Sequence, residues 1–224
     1  GVLDAVFTSH GIPLFMSHRV DMASMPLMTQ VLSAFDIVLR GWRCGDILRY
    51  IKTGLLSSML TQRECDLLDV YCATWDINGA MWYGERDWDM HPSGYVRYDG
   101  EDTRTAETLQ TLNCARHKIV SPLSVFERDI KGGDCKSIAS AVYRLLSDTG
   151  AYEALSAHAD SLRAGGDEHT ATLTDRLWDI LMEVLDKTVT VFGERAMSGA
   201  RYAQLLRLVI QSADIGAIDR KSVV

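Results

Sequence analysis

The sequence predicts an all-α fold, an irregular multi-helix bundle with one short extended segment near its N-terminus, and three observations carry that prediction. Apolar residues recur at three-to-four spacing in two long stretches, Leu173, Leu177, Ile180, Leu181, Val184 and Leu185, then Tyr202, Leu205, Leu206, Val209 and Ile210. Only four prolines and 17 glycines punctuate 224 residues, which favours long helices over many short strands. The glycines also fall as stop signals, at Gly150, Gly165–Gly166 and Gly193, between the periodic segments.

Taken in order, residues 5–16 read as the entry into the fold. Ile12 precedes Pro13 and is pushed to an extended conformation, so one short extended segment is predicted there. Ser24 is placed to cap a helix with Pro26 in its first turn, where proline's missing N–H costs nothing. That helix carries Leu27, Val31, Phe35 and Val38 down one side to about Arg40, and Gly41 ends it. Asp46 starts a short helix with Ile47, Tyr50 and Ile51, stopped by Gly54. Thr61–Gln62–Arg63–Glu64 is a capping-box pattern, and the helix it opens places Leu68, Tyr71, Cys72 and Trp75 on one stripe. From Asn78 to Gly100 the pattern dissolves into Gly, Trp, Tyr, Asp and Pro, a long loop of the kind that is functional or mobile. Helices resume over 102–119, 122–131, 134–148, 151–164, 170–188 and 198–213. No fixed-period repeat appears, which argues against a solenoid. The chain therefore reads as one all-helical accessory subdomain over 1–218, divisible into halves 1–100 and 101–218, with 219–224 as a tail.

Composition narrows the function classes. Apolar residues at 47% and charged residues at 24% are ordinary globular usage and exclude wholesale disorder and collagen-like repeats. At this length roughly 70% of the unfolded surface is buried, so neither a metal nor a disulfide is needed to make a core. A net charge of −7 argues against a surface given over wholly to nucleic acid. Five cysteines with no C-x-x-C pair read as reduced thiols, and Cys65 and Cys72, two helical turns apart, read as small buried hydrophobes on one face. There is no apolar run long enough to span a membrane, and Gly1–Val2–Leu3–Asp4 is not a signal peptide. The first residue is not Met, so the chain reads as a piece of something longer, in the cytoplasm. Met22, Met25 and Met28 are candidates for exposed apolar surface.

The motifs point away from catalysis. Lys131–Gly132–Gly133–Asp134–Cys135–Lys136–Ser137 ends in Lys-Ser, but position 135 is Cys where a phosphate loop needs Gly, and no strand precedes it. Two glycines ending one helix and Asp134 capping the next account for the stretch. The six histidines are scattered without a partner at helical spacing, and no G-x-S-x-G elbow occurs. No catalytic, cofactor-binding or metal-ligating residue is therefore assigned, and the chain by itself is predicted to be inactive. Charge is more informative. Residues 37–63 carry Arg40, Arg43, Arg49, Lys52 and Arg63 against Asp46, a local +4, whereas 64–107 carry eleven acids and three bases, a local −8. Beside Trp42 and Tyr50, the basic stretch makes Arg40, Arg43, Arg49 and Lys52 the candidate DNA-binding residues, for weak, non-specific contact with phosphates. The competing account pairs Arg49 with Asp46 one turn away and lays the Lys52 stem along Tyr50 or Trp42.

The same stretch carries a resemblance. Gly11–Ile12–Pro13–Leu14–Phe15, Pro26–Leu27, Gly41–Trp42–Arg43, Ile47, Tyr50, Lys52–Thr53–Gly54–Leu55–Leu56, Asp66–Leu67–Leu68 and Tyr71 follow one another in an order and spacing that resembles the B subunit of AddAB-type ATP-dependent helicase–nucleases. Trp75–Asp76–Ile77–Asn78–Gly79 followed by Trp82 resembles that family's continuation, and Leu205–Leu206 with Asp214–Ile215–Gly216 is similar to its return toward the helicase-like core. The sequence departs from the family at Asp69–Val70, at Cys44–Gly45 and after Ile218. The resemblance implies a helical subdomain like the one inserted in the second motor domain of UvrD-like superfamily-one helicases. It also implies a parent that unwinds and degrades duplex ends for recombinational repair, with DNA and the A subunit as partners. ATP with magnesium and an iron–sulfur cluster would then belong to the parent, the cluster to a nuclease domain outside this chain. The alternative from another class is a free-standing α-helical protein–protein interaction module, suggested by the acidic stretch 64–107. A small metal- or nucleotide-dependent enzyme is a third reading, and it lacks a complete motif.

Overall fold

The computed structural model describes residues 22–95 and 103–212. The extended segment expected over 5–16 and the tail 219–224 lie outside them, as do Gly11–Phe15 and Asp214–Gly216 of the motif series. Among the described residues a 3-10 turn, Met22–Ser24, leads into nine α-helices: α1 Pro26–Leu39, α2 Cys44–Ile51, α3 Gln62–Trp75, α4 Ala80–Tyr83, α5 Thr103–Asp129, α6 Cys135–Asp148, α7 Ala151–Ala164, α8 Glu168–Phe192 and α9 Gly199–Ser212. No strand occurs among the described residues; a single antiparallel bridge joins Asp134 to Ala196. The fold is all-α, as predicted. One apolar core runs through it from Met22 to Ile210, with Phe35 of α1 edge-on to Phe126 of α5 at 5.0 Å and 6.0 Å from Tyr202 of α9.

Three local expectations need correction. Ser24 does not cap α1; it sits in the 3-10 turn, Met25 occupies the cap position without a side-chain bond, and proline stands at the first turn as expected. That turn tucks Met22 and Met28 into the core and leaves Met25 half-buried, so these methionines are core rather than exposed surface. The helices expected at 102–119 and 122–131 are one helix, α5, with Pro122 inside it. Proline forfeits the bond to the Lys118 carbonyl and crowds it, at a cost of about 3 kcal/mol. Buried Leu112, Ala115 and Ile119 before the proline continue as Leu123 and Phe126 after it. Burying each large side chain contributes about 1.5–3 kcal/mol, so a stripe of four outweighs the proline.

The capping box at α3 forms as predicted. The Thr61 hydroxyl accepts from the Glu64 N–H at 3.2 Å, and the Glu64 carboxylate accepts from the Thr61 N–H at 2.7 Å. The same carboxylate accepts from Lys118 at 2.8 Å, so the cap also ties α3 to α5.

The stretch after Asn78, expected as an open loop, is held down from α4 to Tyr95 in the described residues. Trp82 and Trp88 are buried and meet edge-to-face at 5.1 Å, and Trp88 stacks on Tyr71 of α3 at 5.0 Å. Two polar side chains of α5 fix this segment. Asn113 accepts from the Trp88 N–H at 2.8 Å and donates to the Trp88 carbonyl at 3.0 Å. Arg116, only 1% exposed, donates to the carbonyls of Trp82 at 2.6 Å, of Arg86 at 2.9 Å and of Gly84, and its guanidinium lies 5.3 Å from the centre of the Trp88 ring. Burial lowers its pKa from the usual arginine value, and Asp87 works in the opposite direction. Gly84 admits no side chain, because a Cβ there would stand 2.6 Å from the Ala80 carbonyl oxygen.

Replacing Arg116 with Met keeps the volume but strands three carbonyls that had a charged donor, and it is expected to destabilise the fold by about 3 kcal/mol in urea unfolding. Lys at this position, with a point charge in place of a fork, recovers less than half of that loss. A Met variant within about 0.5 kcal/mol of the parent would show that the Trp segment stands without it. A second expectation concerns acid. Burial alone raises the Glu64 carboxyl, but the hydrogen bonds from Lys118 and Thr61 outweigh it and hold the group below the usual glutamate range. A lowered folded-state value means the contribution is complete above the unfolded pKa of about 4.3 and is lost as pH falls through the folded value. Glu64→Gln is therefore expected to flatten the acid limb of stability below about pH 4.3, measured as midpoint against pH; an unchanged acid limb would contradict it.

Candidate nucleic-acid interface

The four residues singled out by charge lie at and around α2, and the way the chain turns into α2 decides where they point. Gly41 and Trp42 both adopt positive φ, +79° and +56°, so two successive left-handed residues reverse the chain between α1 and α2. Such a conformation is uncommon for tryptophan. It is held by the Trp42 N–H donating to Ile37 O at 2.8 Å, the Gly79 N–H donating to Trp42 O at 3.0 Å, and the indole N–H donating to Glu127 at 3.0 Å. The Asn78 side chain accepts from the Cys44 N–H at 2.8 Å, at the start of α2. The Gly-Trp-Arg and Trp-Asp-Ile-Asn-Gly stretches of the sequence are thus two halves of one clasp.

The clasp lays α2 against α1 with a polar seam between them. Gln30 and Ser33 of α1 and Asp46 and Tyr50 of α2 are buried. Burial pushes the Tyr50 phenol up, with Gln30 and Thr149 pulling in the other direction. At one end of the seam sit two nearly buried carboxylates, Asp36 and Asp46, whose side chains are 7% and 6% exposed. Arg49 reaches both, at 3.2 Å and 2.6 Å; Arg40 approaches them at 3.4 Å and 3.9 Å. A third guanidinium, Arg207 of α9, pairs with Asp36. Four arginines, counting Arg43, against two aspartates leave a local +2.

The predicted residues therefore divide. Arg40 and Arg49 come together over the aspartates with nearly half of each side chain exposed. Arg43, at the N-cap of α2, is exposed and makes no ion pair among the described residues. Lys52, just past the end of α2, turns instead to Asp69 of α3 at 2.7 Å, rather than lying along Tyr50 or Trp42. The pairing of Arg49 with Asp46 is present, so these arginines have a structural role whatever else they contact. Arg207 escaped the sequence reading because nothing local links it to a residue in α1; the one available signal was its place beside the buried Leu206 in an amphipathic helix. The acidic stretch is partly spent inside the chain, with Glu64 on Lys118, Asp69 on Lys52 and Asp89 on Arg86.

The Lys131–Ser137 stretch is a helix junction. Asp134 caps α6 by accepting from the Ser137 N–H at 2.7 Å, and the Cys135 and Lys136 N–H groups donate to the carbonyls of Arg195 and Gly193. All five cysteines are free thiols. Cys72 is buried and Cys65 half-buried, and burial pushes the Cys44 and Cys72 thiols up. Among the described residues no three His, Cys, Asp or Glu side chains converge as metal ligands, and no helix is long and apolar enough to cross a membrane.

No protein-family model matches the chain. Curated relatives do. The chain is 27% identical over 218 residues to the B subunit of the ATP-dependent helicase/deoxyribonuclease of Clostridium botulinum, and 28% identical over 218 residues to that of Acetivibrio thermocellus. It is 29% identical over 226 residues to that of Desulfitobacterium hafniense. Each match covers 97% of this chain but only 18–19% of the relative, so the chain spans about one-fifth of the length of the curated relatives it matches. The resemblance read from residues 10–82 thus extends over nearly the whole chain.

The aspartate pair generates a stability prediction. Asp36→Asn leaves Arg40 and Arg49 on Asp46 and takes from Arg207 the carboxylate it pairs with, and is expected to cost about 2 kcal/mol, less than a fully buried pair because the arginines are partly in water. Arg207→Gln should cost about 1 kcal/mol. Urea titration checks both, and an Asp36→Asn variant as stable as the parent would show that the cluster is not holding α9.

Proposed function

We propose that this chain is a non-catalytic helical segment of the B subunit of an ATP-dependent helicase/deoxyribonuclease, similar to the helical subdomain inserted in the second motor domain of UvrD-like helicases. The observation that carries the reading is similarity over 97% of the chain to curated proteins of that name. In this reading the parent processes double-strand DNA breaks for recombinational repair in the cytoplasm, with the A subunit as its partner. ATP with magnesium and the iron–sulfur cluster belong to other parts of the complex. The residues here do not suit either group: the backbone amides of 135–137 are already taken by Asp134, Gly193 and Arg195, and the cysteines are spread over four helices.

The segment's own contribution is weak, non-specific contact with the DNA backbone. Arg43 leads it, and the outer faces of Arg40 and Arg49 assist. Asp36 and Asp46 together offset two of the four arginines gathered here, Arg40, Arg43, Arg49 and Arg207, so the folded cluster carries a local +2. The expected log–log salt slope for duplex DNA is then about −2, against the roughly −3.6 that four independent cations would give. Affinity should fall about tenfold between 50 and 200 mM salt.

Fluorescence anisotropy with a labelled duplex tests this. Arg43→Ala is expected to shallow the slope by about one unit, whereas Lys52→Ala, which breaks only the contact with Asp69, leaves the slope unchanged. Binding that is insensitive to salt, or equal slopes for Arg43→Ala and the parent, would remove DNA contact from the reading.

A further inference from the structure

Tyr83, the last residue of α4, is 52% exposed although its ring meets the buried Trp42 edge-to-face, with ring centres 5.6 Å apart. Trp42 is a fixed support, only 2% exposed and with its indole N–H donating to Glu127 at 3.0 Å. Tyr83 thus presents to water an aromatic ring already oriented by its neighbour, which leaves less side-chain freedom to lose on binding.

Hydrogen bonds tie the same place to Arg43. The residue before it, Trp42, accepts from the Gly79 N–H at 3.0 Å, and the residue after it, Cys44, donates to the Asn78 side chain at 2.8 Å. Arg43 is therefore gripped on both sides by the two residues that lead into α4, and Tyr83 lies one helical turn beyond Gly79. Two acids at this clasp are engaged elsewhere: Glu127 holds Lys131 at 2.8 Å, and Asp76 accepts from the Asn78 amide at 2.7 Å. Exposed Glu85 makes no ion pair among the described residues. It repels the phosphates of any strand alike, so it lowers affinity without altering which form of DNA is favoured. Gly41 and Gly45 flank the clasp, both exposed, and a Cβ at either would meet nothing within 4 Å, so a phosphate has an open approach to Arg43. A cation for the backbone together with an aromatic ring for a base is how single strands are held. In a duplex the faces of the bases are covered by their neighbours, and a surface tyrosine has nothing to stack on.

We propose that Tyr83 is a stacking platform for one unpaired base of a single DNA strand whose backbone lies on Arg43. Resting on the DNA contact assigned to Arg43, this adds the form of DNA that the contact takes, a strand with bases free to stack.

Fluorescence anisotropy of the whole chain with three labelled probes tests this: oligo-deoxythymidine, the same strand with an abasic site at every position, and a duplex. Tyr83→Leu keeps apolar area but removes the aromatic face. It is expected to weaken the thymidine strand about fivefold, the low end of what one stacked base contributes, and to leave the abasic strand and the duplex unchanged. Its salt slope stays that of the parent, since no charge is removed, whereas Arg43→Ala shallows the single-strand slope by about 0.7 and weakens all three probes. Tyr83→Phe, which restores the ring, recovers the thymidine strand, and an unshifted urea midpoint verifies that each variant is folded. If Arg43→Ala weakens all three probes while Tyr83→Leu weakens none, or weakens the abasic strand equally, the DNA contact stands and the platform is overturned. If Arg43→Ala alters none of them, the DNA reading itself fails and takes the platform with it.

Discussion

Asp36 lies in the last turn of α1, where the carbonyl end of the helix already carries partial negative charge, and its carboxylate is almost wholly out of water. An unpaired charge in that position costs several kcal/mol. The rest of this end of the molecule is arranged to avoid that penalty. Arg40 comes from the residue just past the same helix, Arg49 from the helix laid back upon it, and Arg207 from the far end of the chain. The left-handed pair at Gly41–Trp42 is what turns α2 so that Arg49 and Asp46 arrive there. Asp46 sits in the first turn of its own helix, where a negative charge is favoured, so the two carboxylates differ in how much they need the arginines.

Arg116 meets the opposite problem, a buried cation, and is accommodated differently. Its partners are main-chain carbonyls of the 82–86 segment, which spread the charge over several dipoles and at the same time give that irregular backbone the partners it lacks as non-helical chain. A single guanidinium thus does for the tryptophan segment what a regular helix does for itself. The stretch is ordered because α5 supplies donors to it.

The helical class is legible because it depends on periodicity, and α7 and the capping box at α3 fall where the spacing and caps place them. The break expected before residue 122 does not occur because proline is a local stop signal, whereas the stripe from Leu112 to Phe126 that overrides it is a tertiary fact. Ser24 is a plausible cap on local chemistry alone; the 3-10 turn that displaces it exists because Met22 has a core to enter. At the candidate interface, sequence places Arg40, Arg43 and Arg49 together and foresees the Arg49–Asp46 contact, which is local. It has no access to Lys52 meeting Asp69 or to Arg207 meeting Asp36. Charge counted over residues 37–63 also overstates what a partner feels, since Asp36, just outside that stretch, is a further buried carboxylate held against Arg40 and Arg49.

The contact between Asp36 and Arg207 joins residues 171 positions apart. Closing a loop of that length costs on the order of 4–5 kcal/mol in chain entropy before any packing is gained. Neighbouring pairs such as α1 with α2 and α7 with α8 close loops of only a few residues and can assemble within microseconds. On that basis the hairpins are expected to form early and α9 to dock late, onto a surface the earlier helices have built. During synthesis the carboxylate of Asp36 therefore waits for its third arginine until nearly the whole segment has left the ribosome.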